Sequence, residues 1–345
     1  MHDITLEQCL ALRDEQGTLV DVRSSGEYEE FHIPGSINIP LFTDEERSEV
    51  GTIYKQVSVE AAKERGLEIA SAKLPALYKQ FRELKGPIVI YCWRGGMRSR
   101  TMATVMTLMG MKVFRLLGGI RSYRQWVQDR LEHYELEAPC VVIAGHTGTG
   151  KTELLTLLAQ DGYPVLDLEG LAAHRGSIFG HIGLAPRNQK MFDALLVERL
   201  DELQQGQAPY VMLEGESRRL GKVMLPIFLM EAKQRGRVIQ INMPMDERVR
   251  NLLKDYDPTQ HKDEIIAAFE RIHRRLHTPV AQQIRESLNL EQYEAAVALM
   301  LEHYYDPRYE HAALQYEQDA IEINASNVVE ADHMIRERLK IKKYA

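Results

Sequence analysis

The stretch GHTGTGKT, Gly145–Thr152, constrains this chain more than any other. Gly145, Gly150, Lys151 and Thr152 fill every fixed position of the phosphate-loop spacing GxxxxGK[ST]. Glycine lets a backbone curl until several N–H groups point at one phosphate. His146, Thr147, Gly148 and Thr149 complete that cradle. Lys151 brings a positive charge toward the β and γ oxygens, and Thr152 brings a hydroxyl suited to a magnesium ion. The run CVVIAG (Cys140–Gly145) reads as a buried strand, and a helix starting at Lys151 points its positive dipole end at the loop. The motif therefore predicts a strand–loop–helix unit that binds a di- or triphosphate. It specifies neither ATP nor phosphoryl transfer.

Acids at the carboxyl ends of neighbouring strands face the ligand crevice of such a sheet. YVMLEGES offers Glu214 and Glu216, which we favour, and PVLDLEG offers Asp167 and Glu169. HRGS adds Arg175 and Ser177 as donors to an anion.

At roughly 100–200 residues per domain, 345 residues suggest two. Short apolar runs alternate with helical patterns twice over, which implies two parallel α/β sheets. TLVDVR, HIPGSINIP, PIVIYC and KVFRLL read as strands in the first part. Residues 60–84 and RSRTMATVMTLMG read as helices. We expect one domain over 1–133, a polar linker at 134–139, and a second domain over 140–345 with a helical region at 246–303, a late strand AIEINAS and a closing helix.

The formal net charge of -7 argues against coating nucleic acid by bulk charge but leaves room for a local basic face. Three scattered cysteines form neither a disulfide framework nor a zinc-ligand spacing, which suggests a reducing compartment. The polar start and the absence of any apolar run of ~18–20 residues lead us to expect a cytoplasmic protein without a membrane partner.

A second site lies in YCWRGGMRSR, where Cys92 ends an apolar strand. Trp93, Arg94, Gly95, Gly96 and Met97 form a loop, and Arg98 follows at the start of a helix. Backbone N–H groups, the helix terminus and Arg94, Arg98 and Arg100 all favour a thiolate. A thiolate so cradled can attack sulfur, selenium or phosphorus, and the loop then holds the anion. Cys9 and Cys140 sit in apolar patterns and read as core residues.

DVRSSGEYEEFHIPGSINIP (Asp21–Pro40), the cysteine loop and LLGGIRSYRQW (Leu116–Trp126) resemble the rhodanese domain over about the first 130 residues. Five residues separate Cys92 from Arg98, one more than in common sulfurtransferase loops. That longer spacing is also found in rhodanese-like phosphatases, which usually carry His where this chain has Tyr91. The fold expected is an N-terminal rhodanese-like α/β domain plus a C-terminal P-loop NTPase-like parallel-sheet domain with helical additions. With DLEGLAAHRGSIFGHIG and MLEGESR added, the whole chain resembles the tRNA 2-selenouridine synthase family. The resemblance implies alkylation of a wobble 2-thiouridine by geranyl diphosphate, then replacement of the geranylthio group by selenium from selenophosphate. The phosphate loop would hold the diphosphate leaving group. Cys92 would bind selenophosphate or carry selenium covalently, and the residues leave that choice open. A selenophosphate-supplying enzyme is an implied partner.

For the tRNA anticodon region, Arg271, Arg274 and Arg275 are expected on one face of a helix. Tyr304, Tyr305 and Tyr309 interleave with Arg308, a pattern suited to stacking on splayed bases. Trp93 is a further stacking candidate, and His273 with His277 lack a third metal ligand. The same motifs fit an ATP-dependent rhodanese sulfurtransferase with a P-loop kinase-like activating domain. A nucleotide-switched binding module with an inert rhodanese half is a third reading, which the intact Cys92 and its arginines oppose.

Overall fold

The computed structural model describes residues 2–215, 217–308 and 320–339. The chain divides into two compact units, one running to His133 with Asp193–Leu195 added, the other taking the remainder.

The first unit is built on a five-stranded sheet in the order β1-β5-β4-β2-β3, with every pairing parallel. Its strands are β1 (His2–Ile4), β2 (Thr18–Asp21), β3 (Ile37–Asn38), β4 (Ile88–Tyr91) and β5 (Val113–Leu116). β4 reads IVIY and is buried at all four positions, as a strand covered on both faces must be. Helices α1 (Leu6–Asp14), α2 (Ser25–Glu30), α3 (Asp44–Gln56), α4 (Val59–Arg82), α5 (Met97–Leu108) and α6 (Gly119–Glu132) complete the unit. Thr43 and Glu46 cap the start of α3 reciprocally. Sequence reading missed α3, whose residues bury no side chain fully and so carry only a weak apolar period.

A buried ion pair ties β2 to its neighbours. Arg23 and Asp21 are 1% and 0% exposed. The Arg23 side chain donates to both Asp21 carboxylate oxygens at 2.5–3.0 Å and to the Phe31 carbonyl at 2.5 Å. The Asn38 amide donates to the carbonyls of Asp21 and Arg23, so β3 is fastened to the same strand end. Tyr91, fully buried, accepts from the Ile33 amide and bonds the Ser36 hydroxyl at 2.7 Å. Burial, helped by the Asp21 charge, pushes its phenol well above the usual range. These contacts account for the DVR…HIPGSINIP signature in physical terms.

The second unit has a parallel sheet in the order β11-β10-β6-β7. Its strands are β6 (Cys140–Gly145), β7 (Val211–Glu214), β10 (Arg237–Asn242) and β11 (Ile321–Asn324). A short antiparallel pair, β8 (Arg219–Leu220) and β9 (Val223–Met224), stands apart. The helices are α7 (Lys151–Gln160), α8 (Leu168–Ala172), α9 (Gln189–Gln205), α10 (Ile227–Gln234), α11 (Met245–Tyr256), α12 (Lys262–Glu270), α13 (Thr278–Asn289), α14 (Tyr293–Met300) and α15 (Val328–Leu339). A π-helical turn, Leu301–Tyr305, follows α14. α12 to α14 and this turn pack around their own apolar cluster, which includes Phe269, Ile284 and Tyr304. Tyr134, at the start of the expected linker, is buried, and its hydroxyl donates to the Leu200 carbonyl.

Two expectations need correction. PVLDLEG is not a strand beyond one bridge between Val165 and Met212. Asp167 instead caps α8 by accepting from the Gly170 amide at 2.7 Å, a use for which a short carboxylate is well suited. Arg271, Arg274 and Arg275 do not share an α-helical face, because α12 ends at Glu270 and His273–Arg275 form a 3₁₀ turn. All three arginines are exposed.

Replacing Arg23 by Met should strand the Asp21 carboxylate in the core. The expected loss is about 3–5 kcal/mol of stability, read by urea denaturation of the full chain.

Candidate functional site

Cys92 directly follows β4 and is 3% exposed. Its Sγ lies 3.1 Å from the Ser99 hydroxyl, on the first turns of α5. Trp93–Gly96 form the loop, and α5 begins at Met97, so the positive end of its dipole lies at the loop. The loop is strapped from below by LLGG. The Ile120 amide donates to the Cys92 carbonyl at 2.9 Å, and the Arg121 amide donates to that of Trp93 at 3.2 Å. Gly119 has φ +59°, and a Cβ there would stand 2.2 Å from the Cys92 carbonyl oxygen. The backbone-to-backbone approach therefore requires glycine. Arg115, unremarked in the sequence, donates to the Gly95 carbonyl at 2.7 Å and pairs with Asp3. Nothing in the local pattern marks it, since a lone arginine in KVFRLL looks like an outward strand residue.

Arg98 does not stand loose in the loop. Its guanidinium grips Glu27 of α2 at 2.6 and 3.2 Å. Burial alone would raise the Glu27 carboxyl, but the Arg98 bonds override it and hold the group below the usual range. Trp93, Arg94 and Met97 are exposed. A wide cleft opens over Cys92 between this loop and the α3–α4 pair, with Arg47, Lys55, Lys63 and Arg94 among its basic lining residues. Such a cleft admits an anion larger than sulfide, with Cys92 at its floor.

In the second unit, the loop His146–Gly150 follows β6, and Lys151 opens α7. Its shape is held from outside. Arg248 Nε donates to the Thr147 carbonyl and Asn251 Nδ2 to that of Gly148, both at 2.9 Å. Gly148 has φ +85°, and a Cβ there would stand 2.7 Å from the Arg248 carbonyl oxygen. Asp306, just past the π turn, accepts two bonds from Arg248 and meets His146 Nδ1 at 3.1 Å. Burial opposes its charge, but Arg248 and His146 more than offset that and keep its carboxyl low. Lys151 Nζ donates to the Gly145 carbonyl at 2.8 Å and to that of His146 at 3.3 Å.

Among the described residues the acid that meets Thr152 is Glu169, not the favoured Glu214. Thr152 Oγ1 donates to Glu169 Oε2 at 2.6 Å. Glu214 is fully buried, and its Oε2 accepts from the Leu168 amide at 3.2 Å. Glu216 lies outside the described residues. Thr152 and Glu169 are hard oxygen donors placed together, a set that fits magnesium. Among the described residues no group of three or more His, Cys, Asp or Glu is placed to hold a metal on its own, so a magnesium ion would draw its remaining ligands from phosphate and water. Arg175 and Ser177 line the same cleft. Ser177 bonds the Tyr256 hydroxyl at 3.1 Å, and the Arg175 guanidinium lies 5.1 Å from the Tyr256 ring centre.

The aromatic expectation is overturned in part. Tyr304 is 3% exposed and packs in the helical core beneath the Arg308 guanidinium, 3.6 Å from its ring centre. It is not available to stack on a base. Tyr305 meets Tyr304 edge-on and lines an apolar pocket. Tyr309 lies outside the described residues.

Comparison with known proteins places these features. Residues 138–340 match the tRNA 2-selenouridine synthase AAA domain, and residues 5–126 match the rhodanese-like domain. The chain belongs to the tRNA 2-selenouridine synthase family. The tRNA 2-selenouridine synthase of Pseudomonas syringae pv. tomato is 31% identical across 93% of this chain and 94% of its own length. That of Nitrosomonas europaea is 34% identical across 74% of this chain and 67% of its own. The crystal structure of a rhodanese-related protein from Thermoplasma volcanium is 21% identical across 36% of this chain and 93% of its own, with a TM-score of 0.23. Among the described residues no helix is long and apolar enough to cross a membrane.

Gly119→Ala should displace the strap under the cysteine loop. The expected cost is about 1–3 kcal/mol in denaturant unfolding, together with a changed rate of Cys92 alkylation by iodoacetamide.

Proposed function

We propose that this protein converts 2-thiouridine at the wobble position of tRNA to 2-selenouridine in two steps. The observation that carries the reading is the presence in one family member of two distinct anion-type loops. One opens helix α7 beside Lys151, Thr152 and Glu169, and the other carries a thiol at the floor of a wide basic-rimmed cleft.

In the first step the 2-thio sulfur attacks the first carbon of geranyl diphosphate. A C–S bond forms, the C–O bond breaks, diphosphate leaves with the electron pair, and the base gives up its N3 proton. The loop amides and Lys151 neutralise the charge that grows on the leaving group. Bound magnesium would add Lewis-acid stabilisation of the same oxygens. In the second step the selenium of selenophosphate, held in the cleft over Cys92, adds at C2 and forms a C–Se bond. The C2–S bond then breaks and the geranylthio group departs as a thiol after taking up a proton, which makes it a better leaving group than sulfide, and water finally cleaves the Se–P bond and releases phosphate. The exposed arginines of the 271–275 turn remain candidates for tRNA phosphate contacts, as does Arg308. A selenophosphate-supplying enzyme is the partner this scheme calls for.

Nucleoside analysis of tRNA from cells with and without the protein tests the reading, and absence of any 2-position difference would refute it. Comparing thiosulfate with selenophosphate as donor, with and without ATP, separates it from an ATP-dependent sulfurtransferase. Cys92→Ala should abolish selenium incorporation and leave geranylation largely intact, as measured by mass spectrometry of the digested tRNA. Lys151→Ala should weaken geranyl diphosphate binding by about tenfold or more in calorimetric titration.

A further inference from the structure

The selenium step leaves one proton to be placed. The geranylthio sulfur departs as a thiol, so an acid must stand where the C2–S bond breaks. Among the described residues that line the cleft over Cys92 there is no Asp, Glu or His. Tyr54, Lys55 and Lys63 of that lining are exposed, whereas the Cys92 thiol lies at the floor and is 3% exposed.

Ser99 gives that thiol a means of changing its charge. It is fully buried in the first turn of α5, with its Oγ 3.1 Å from Cys92 Sγ and 3.3 Å from the Gly96 carbonyl oxygen. A hydroxyl has one proton to donate and lone pairs to accept with. Turned toward Gly96, it accepts from the Cys92 S–H. Turned toward Sγ, it donates to a thiolate. One rotation of the hydroxyl thus serves both forms, with no heavy atom moved. The two arrangements are unequal, because S–H is a weak donor while an O–H bond to an anion is charge-assisted. The start of α5 adds its positive dipole end. Both effects favour the form that remains once the proton has gone.

The other use of such a thiol is to carry selenium covalently, and electron counting opposes it. The selenium of selenophosphate and the sulfur of a thiol are both fully reduced, so an S–Se bond between them needs a two-electron oxidant. The exchange at C2 consumes only the S-geranyl base, selenophosphate and water.

We propose that Cys92 is the proton donor to the departing geranylthio sulfur, with Ser99 as the positioning residue that holds the thiol before the transfer and the thiolate after it. When the C2–S bond breaks, its electron pair goes to the geranyl sulfur, which takes the proton from Cys92. The water that later cleaves the Se–P bond gives its oxygen to phosphorus, one proton to the Cys92 thiolate and the other to N3 of the base. The inference rests on the two-step reading above, which puts selenophosphate over Cys92 but assigns the proton to no residue.

The test gives the full chain selenophosphate and a synthetic anticodon stem–loop RNA carrying S-geranyl-2-thiouridine or its S-(4-nitrophenyl) analogue. Nitrophenylthiolate leaves without a proton. Cys92→Ala should lose at least about a hundredfold in kcat with the geranyl RNA and no more than about fivefold with the nitrophenyl RNA. Ser99→Ala should lose about tenfold in kcat with the geranyl RNA alone, while KM for selenophosphate stays within about twofold of the unmodified protein. Equal loss on both RNAs in Cys92→Ala, or no loss on the geranyl RNA, overturns the proton role and leaves the two-step reading standing. A selenium- or phosphorus-bearing adduct on Cys92 of the unmodified protein, quenched during turnover and found by mass spectrometry, overturns it whether or not the variants fold. Failure of the unmodified protein to convert the geranyl RNA, while the 2-thiouridine RNA is converted, refutes the two-step reading and this proposal with it.

Discussion

In a parallel sheet all strands end at the same edge, and the loops that leave an interior strand emerge between its two neighbours. Both candidate sites of this protein obey that constraint. Cys92 follows β4, which lies between β5 and β2, and His146 follows β6, between β10 and β7. In each case a short loop then runs straight into a helix, so backbone N–H groups and a helix dipole are concentrated where an anion would lie. The chemistry differs because the first position differs: a thiol in one unit, a glycine cradle with a lysine in the other.

Neither loop holds its shape alone. The cysteine loop rests on Gly119 and on the Arg115 bond to the Gly95 carbonyl. The phosphate loop rests on Arg248, Asn251 and Asp306. These supports are distant in sequence from what they hold, yet they fix the positions of the reacting groups. Arg98 is joined to Glu27 and thereby links the loop to α2. Its share in anion binding therefore competes with an existing ion pair.

Much of this was legible in the residues. GHTGTGKT, the strand-end cysteine and the alternation of strands and helices all depend on local spacing, and local spacing is what a sequence displays. The acids beside the phosphate loop were harder. Glu214 and Glu169 both end apolar runs, and only the short helix capped by Asp167 decides which one meets Thr152. Tyr304 looked like a stacking platform because its neighbours are polar, but the π turn rotates it into the core. The end of α12 at Glu270, which leaves all three arginines outside the helix, had no glycine or proline to announce it. The apolar pocket could not be read at all, because its walls come from α11 to α14 and only packing brings them together.

The resting position of Lys151 has its own consequence. Its ammonium is already satisfied by the carbonyls of Gly145 and His146, so an arriving ligand must displace bonds rather than fill an unmet demand. An anion dense in charge gains more from that exchange than a neutral acceptor does, because charge-assisted hydrogen bonds are the stronger ones. Two carbonyl bonds thus set the cost that any ligand of this ammonium has to meet.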